Sequence, residues 1–488
     1  MDLINGIVNV FTVSNLLYCF VGCVLGTVVG VLPGLGPASS LSILLPLTVY
    51  LDPTGSIIML AGLYYGTMYG GSTTSILLNI PGEAASVPTT FDGFQMTKMG
   101  RAGEALWIAA VGSFIAGTVG SIGLCIIGPG IAKYALKFGP PEYFGLLFFS
   151  FTMLISLSGR RIIKGAMTGL LGISLASFGI DPLTGMARLN FSLIGLMRGF
   201  DIVPVVVGLF GIGEIIFTAE QGIQQIYHGK LGKMMPVGKE LRKGLNASLR
   251  GTLIGFLLGL LPGMIAALSS FMAYDCEKRI SKYPEKFGTG VIEGVAAPEA
   301  ANNATAQAGF IPLMALGIPT GPSLAIILAA LMMYGLQPGP ILFQQNTQFI
   351  WAVIASMYIG NIILLILNLP LIGVWARISL VPYKYLAPIV LAICVIGAYS
   401  PRNTLFDVWV ALLFGILGFL MRKGEWPLAP LILGFILGPM FEQALRQSLS
   451  MGGYFFFLFR PITLTFIILT MIVLFLFIKY LRAIPKAN

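Results

Sequence analysis

The chain has 488 residues, of which 56% are hydrophobic and only 10% charged, with a formal net charge of +10 and a mean hydropathy of +0.90. Soluble domains carry about 25% charged residues, so this composition excludes a soluble globular protein and points to a polytopic membrane chain. The basic excess does not indicate nucleic acid, because Lys and Arg fall in short segments between apolar runs, as the positive-inside rule expects.

Apolar runs approaching the roughly 20 residues that cross a bilayer recur along the chain, among them 202–217, 349–371, 409–420 with its flanks and 455–478. The first run has neither a basic leader nor a small-residue cleavage site, so no cleavable signal peptide is expected. Within it lies the stretch "VLGTVVGVLPGLGP" (24–37), which ends a series of glycines spaced by four: Gly22, Gly26, Gly30 and Gly34. Such spacing keeps them on one helix face that packs closely against a neighbour. Packing accounts for Gly22 and Gly26 but not for Pro33-Gly34, since proline removes a donor and disrupts the preceding turn.

Next comes "YYGTMYGGSTTSILLN" (64–79), rich in hydroxyls and without charge. Its Ser72, Thr73, Thr74, Ser75 and Asn79 are candidate donors to a carboxylate. A second break, Pro81-Gly82, follows directly. No Lys or Arg occurs in the first 97 residues, so both flanks of the first break are expected on the non-cytoplasmic side.

Farther on, Arg188, Arg198 and Asp201 sit in a less hydrophobic connection and read as interfacial. Glu214 lies within an apolar run, where an ionisable residue is a functional candidate by default; snorkelling at a helix end is the competing reading. His228, the single histidine, falls in a basic connection, which argues against a histidine proton relay.

The second half repeats the first. Gly251, Gly255, Gly259 and Gly263 are each displaced from the first quartet by 229 residues, and Leu261-Pro262 repeats Leu32-Pro33. Farther on, "GIPT" (317–320) aligns with "NIPG" (79–82), so Pro319 and Thr320 correspond to Pro81 and Gly82. Here the flanks of the break are rich in Lys and Arg on both sides, which makes them cytoplasmic. The expected fold is therefore an all-α polytopic membrane protein of two inverted-topology repeats, residues 1–220 and 251–488, joined by a basic cytoplasmic linker at 221–250. Each Leu-Pro-Gly element is either the tip of a re-entrant hairpin or a break in one spanning helix. About eleven residues on either side of Pro262 favour the hairpin.

In hydrocarbon, irregular backbone survives only when buried in protein or lining a watery cavity. Paired interruptions in corresponding places of two halves point to a transport site. A helix that starts at a break aims free N–H groups and partial positive charge into the cavity, which suits a carboxylate; a helix that ends there offers carbonyls to a cation. Pro33, Gly34, Gly36, Pro81, Gly82, Pro262, Gly263, Pro319 and Thr320 are accordingly assigned, with Ser72–Ser75 and Asn79, to substrate. In "EGVAAPEAANNATAQAG" (293–309), Glu299, Asn302 and Asn303 stand at i, i+3 and i+4 and share a helix face. Their oxygens suit a cation such as Na⁺, and a solvated loop is the bland alternative.

No catalytic machinery stands out. "GIQQIYHGKL" (222–231) has the wrong glycine spacing for a phosphate loop, and no Ser/His/Asp group or metal cluster is evident. The five cysteines form no CxxC pair, so no redox or metal role is expected. An enzyme is not expected, no cofactor is implied, and energy has to come from an ion gradient.

The motifs "GTVVGVLPGLGP" (26–37), "YYGTMYGGSTTSILLNIPGE" (64–83), "FDGFQMTKMGRAGEAL" (91–106) and "GVAAPEAANNATAQAGFIPLMALGIPTGPSLAIILAAL" (294–331) resemble the large membrane subunit of the tripartite tricarboxylate transporter family, the TctA-type permeases, over essentially the whole chain. The resemblance implies a bacterial inner-membrane importer of small carboxylates, typically citrate-like tricarboxylates, driven by a cation gradient. It also implies two partners, a small four-helix membrane subunit and a periplasmic solute-binding protein, besides the carboxylate and the surrounding lipid; nucleic acid is not among them. A stand-alone sodium/carboxylate symporter and an anion channel remain the alternatives.

Overall fold

A computed structural model describes residues 2–32, 35–156, 161–181, 183–221, 232–371, 373–375, 383–453 and 456–483. The chain is an all-α polytopic membrane protein, and among the described residues six helices are long and apolar enough to cross a bilayer. The first half holds α1 (Asp2–Val10), α2 (Val13–Val31), α3 (Pro37–Thr48), α4 (Pro53–Leu78), α5 (Val87–Lys98) and α6 (Ala102–Ala135). Then follow α7 (Pro140–Ser156), α8 (Ile162–Ala176) and α9 (Ile202–Glu220). The second half holds α10 (Gly238–Gly259), α11 (Ala266–Ile280), α12 (Glu293–Ala308), α13 (Phe310–Leu316), α14 (Pro322–Met333), α15 (Pro340–Gln345) and α16 (Thr347–Asn368). It is completed by α17 (Tyr383–Tyr399), α18 (Leu405–Lys423), α19 (Leu428–Gly452) and α20 (Pro461–Ala483). Among the described residues the sole sheet is a two-residue antiparallel ladder, Gly179–Ile180 against Ala187–Arg188.

The glycine series sets the helix directions. Gly22, Gly26 and Gly30 lie against the backbones of Met59, Leu63 and Thr67, so α2 and α4 run in parallel; a Cβ on Gly26 would come within 2.4 Å of the Leu63 carbonyl oxygen. Between two parallel helices the chain must turn back, and α3 makes the return. Its end meets the start of α4, where Ser56 Oγ donates to the Thr48 carbonyl at 3.1 Å and Gly55 lies against the Tyr18 ring. Helices α2 and α3 thus form a hairpin, as the length argument favours, and not one broken rod. Pro33 and Gly34 themselves lie outside the described residues.

The second half is built the same way. Gly251, Gly255 and Gly259 face Ala297, Ala301 and Thr305, so α10 and α12 are parallel. Helix α11 returns beside both: Ser270 Oγ donates to the Pro298 carbonyl at 3.1 Å, Ser269 and Thr305 share a 2.6 Å hydroxyl contact, and Glu277 accepts from Arg250 at 2.5 Å. Gly263, at the turn, adopts φ +84°, a conformation glycine reaches at little cost.

The two parallel pairs oppose one another. Ser72 of α4 bonds Glu299 of α12, whereas Tyr65, two turns earlier on α4, packs its ring against that of Phe310 beyond the end of α12, centroids 5.6 Å apart. Helix α4 is therefore antiparallel to α12. Basic loops gather at one end of the molecule, tied by Arg101 to Glu240 and by Lys243 to Glu293. At the opposite end Arg402 pairs with Asp201 at 2.8 Å and Arg446 with Asp181 at 2.8 Å. The latter bond, seconded by the Leu183 amide, holds the Asp181 carboxyl well below the usual carboxylate range.

Candidate functional site

Four chain breaks meet around one cavity of about 450 Å³. The first hairpin contributes Gly36–Ser39 at the start of α3, and the second contributes Met264–Ala267 at the start of α11. The two other breaks contribute Pro81–Ala85 and Thr320–Ser323, the latter at the start of α14. Helices α3, α11 and α14 all begin at this cavity, and none of the three has a side-chain cap on its first turn. The first N–H groups of a helix have no partner within it, so three positive helix ends converge on the same space. Tyr64, Met68, Phe210 and Thr305 form its buried wall.

Charged lining is sparse. Among the described residues it consists of Glu83, Glu214 and Arg422. Arg422 pairs with Glu214, and Glu214 also accepts from Ser39 Oγ at 3.4 Å. Glu214 is buried and partnered inside the protein, so the snorkelling alternative does not describe it. Glu83 accepts a 2.6 Å hydrogen bond from Asn302 Nδ2.

Behind the cavity lies a buried polar layer. Glu299 accepts from Ser72 Oγ and, at 2.5 Å, from Thr89 Oγ1. The amide oxygen of Asn302 is buried without a protein partner, as is that of Gln307. Asn303 faces away, donating to Ser113 Oγ of α6 at 2.7 Å. Asp92 of α5 ties the halves together, accepting from the amides of Gly288, Gly290 and Val291 and from Tyr274 Oη at 2.8–3.0 Å.

A family model of the tripartite tricarboxylate transporter TctA family matches residues 16–433. The chain belongs to this family. An Agrobacterium vitis protein described as an uncharacterized 52.8 kDa protein in the TAR-I ttuC' 3' region is 44% identical over 474 residues, spanning 95% of this chain and 93% of the relative. A second, described as an uncharacterized protein in the TAR-II ttuC' 3' region of the same organism, is 48% identical over 198 residues, 40% of this chain and 81% of its own length. No solved structure matches the chain.

The site residues expected in this TctA-family chain divide into three groups. Gly36, Pro81, Gly82 and Thr320 line the cavity. Pro262, Gly263 and Pro319 are buried just beside it, at the turns that lead into α11 and α14. Ser72, Thr73, Thr74, Ser75 and Asn79 do not line it. Thr74 and Ser75 turn their hydroxyls to the Gly71 carbonyl, Ser72 serves Glu299, and Thr73 faces a crevice against α6. Asn79, at φ +60°, ends α4 and is exposed. Of the candidate cation ligands, Glu299 and Asn302 point toward α4 and the Glu83 turn, while Asn303 does not share their surroundings.

Two charged lining residues escape the sequence reading. Glu83 directly follows the Pro81-Gly82 break, a signal that could have marked it. Arg422 ends an apolar helix, where arginine reads as an ordinary interfacial anchor.

Proposed function

We propose that this TctA-family chain is the large permease subunit of a binding-protein-dependent importer of small carboxylates of the tricarboxylate class, driven by a cation gradient, with Na⁺ as the ion. The observation that carries this reading is the convergence of three uncapped helix starts on one cavity. Such ends bind anions through free N–H groups and partial charge, so the first-turn N–H groups from Ala38, Ala266 and Ser323 onward receive a substrate carboxylate, Pro37 and Pro322 having none to give.

The charge balance supports cation coupling. Glu83, Glu214 and Arg422 give the lining a formal charge of −1, and Glu299 adds a buried carboxylate behind it. Bringing a polyanion out of water into such surroundings is costly unless counter-charge enters with it. Glu83, Glu299 and the unpartnered amide oxygen of Asn302 supply the hard oxygen ligands a small cation prefers. The opposed directions of the α2–α4 and α10–α12 pairs support two inverted repeats, with alternating access achieved as the two hairpin tips move about the cavity. A small membrane subunit and a periplasmic binding protein complete the transporter in the bacterial inner membrane.

Uptake of labelled citrate into proteoliposomes, with and without the two partners and an inward Na⁺ gradient, tests the reading. Saturable uptake that needs both the gradient and the binding protein is expected. Uptake without the binding protein indicates a stand-alone symporter, and non-saturating flux indicates a channel. Asn302→Ala removes an amide bonded to a carboxylate, an interaction of about 1.5–3 kcal/mol, so a tenfold or larger rise in half-saturating Na⁺ is expected. Unchanged sodium dependence rejects the cation site.

A further inference from the structure

We infer that Arg422 is the cavity's subsite for a second substrate carboxylate and makes this permease select polyanions over monocarboxylates. The inference rests on the carboxylate-transport reading above and adds to it a named recognition residue.

Two neighbouring basic residues end α18, and the structure treats them differently. Lys423 pairs with Glu220 at 2.5 Å, with both side chains about half exposed, as an interfacial anchor does. Arg422 instead turns inward, its side chain 26% exposed, and lines the cavity. It is the one cationic residue among the described residues of that lining. Its partner Glu214 is more deeply buried, and the same carboxylate oxygen accepts from Ser39, the third residue of α3. The guanidinium is thereby tethered to the same helix start that offers free N–H groups to a carboxylate.

The tether leaves donors over. A guanidinium carries five N–H groups in a rigid fork, and Glu214 is bonded through one terminal nitrogen. Arg422 Nε is buried and has no protein partner. A buried donor left unpaired is expensive, and guanidinium matches carboxylate bidentately. A ligand with a single carboxylate satisfies the helix starts and gains nothing here. A ligand with two or three places another carboxylate within reach of Arg422, and full charge adds to the partial charge of the helix ends.

The test compares uptake of labelled citrate and succinate by the assembled transporter, and its inhibition by acetate, in wild type, Arg422→Gln, Arg422→Lys and the double variant Glu214→Gln/Arg422→Gln. The double variant removes the pair together and leaves no unpaired buried charge. Arg422→Gln and the double variant are each expected to raise KM for citrate and succinate at least tenfold, with maximal rate reduced much less and acetate inhibition unchanged. Arg422→Lys, charged but without the fork, falls between. If the double variant keeps the wild-type KM for both polyanions, Arg422 is a structural partner of Glu214 and the inference is overturned while the transport reading stands. A wild-type transporter that takes up neither citrate nor succinate overturns both.

Discussion

Single residues at the centre of this TctA-family protein hold separate segments in place as much as they line the cavity. Asp92 accepts three backbone amides from 288–291 and the Tyr274 hydroxyl, and it is fully buried. Asp92→Ala leaves those donors without an acceptor, a loss of about 2–4 kcal/mol given about 1–3 kcal/mol for each unsatisfied buried group and partial relaxation. Thermal unfolding in detergent should show a clearly lowered midpoint, and an unchanged midpoint rejects this anchoring role. Asp92 was legible only as part of a family motif, because an acid flanked by Phe91 and Gly93 has nothing in its sequence neighbourhood to name amides two hundred residues away. The hydroxyls of 72–75 stand away from the cavity lining for a related reason. Every residue of α4 from Gly55 to Leu77 is buried, so the helix has no polar stripe to mark which face meets the cavity, and local backbone acceptors capture the hydroxyls.

Among the elements, the parallel helix pairs are the parts most plainly written in the sequence. Four-residue glycine spacing announces close helix contact, and both series meet backbone where a side chain has no room. A Cβ at position 255 would lie 2.2 Å from the Ala301 carbonyl oxygen, whereas one on Gly130 of α6 meets nothing within 4 Å. Gly255→Ala should therefore destabilise by about 1–3 kcal/mol through overpacking, while Gly130→Ala stays within about 0.5 kcal/mol of wild type. Paired melting curves check both, and equal midpoints for the two variants would refute tight packing at position 255. What the spacing does not encode is direction. Leu-Pro-Gly breaks a helix equally well whether the chain turns back or goes on, and only the register of Gly22, Gly26 and Gly30 against Met59, Leu63 and Thr67 decides for the hairpin. Likewise, the convergence of α3, α11 and α14 on one space depends on contacts between segments nearly three hundred residues apart.

At the scale of the whole molecule, the gathering of basic loops at one end agrees with the charge distribution along the chain, because that distribution is itself a record of membrane orientation. The cavity then sits between a basic end and an opposite end where Arg402, Arg446 and Arg460 are each paired with acids. With Glu83, Glu214 and Arg422 all ionised, the cavity lining carries one net negative charge, and this has an electrical consequence. A charge that moves through the field of an energised bilayer gains or loses about 2.3 kcal/mol per 100 mV. In the alternating access proposed above, an inside-negative voltage would push an unloaded site of net negative charge outward, toward the compartment that would supply substrate to an importer. On that proposal resting voltage would do the resetting stroke, and ligand with accompanying cations would cancel the push. Voltage steps on solid-supported or planar membranes, at a pH high enough to ionise the buried Glu83 carboxyl, should evoke transient currents from the unloaded transporter, reduced when Glu83→Gln neutralises the lining; identical transients in the two proteins at that pH would show that this charge stays still.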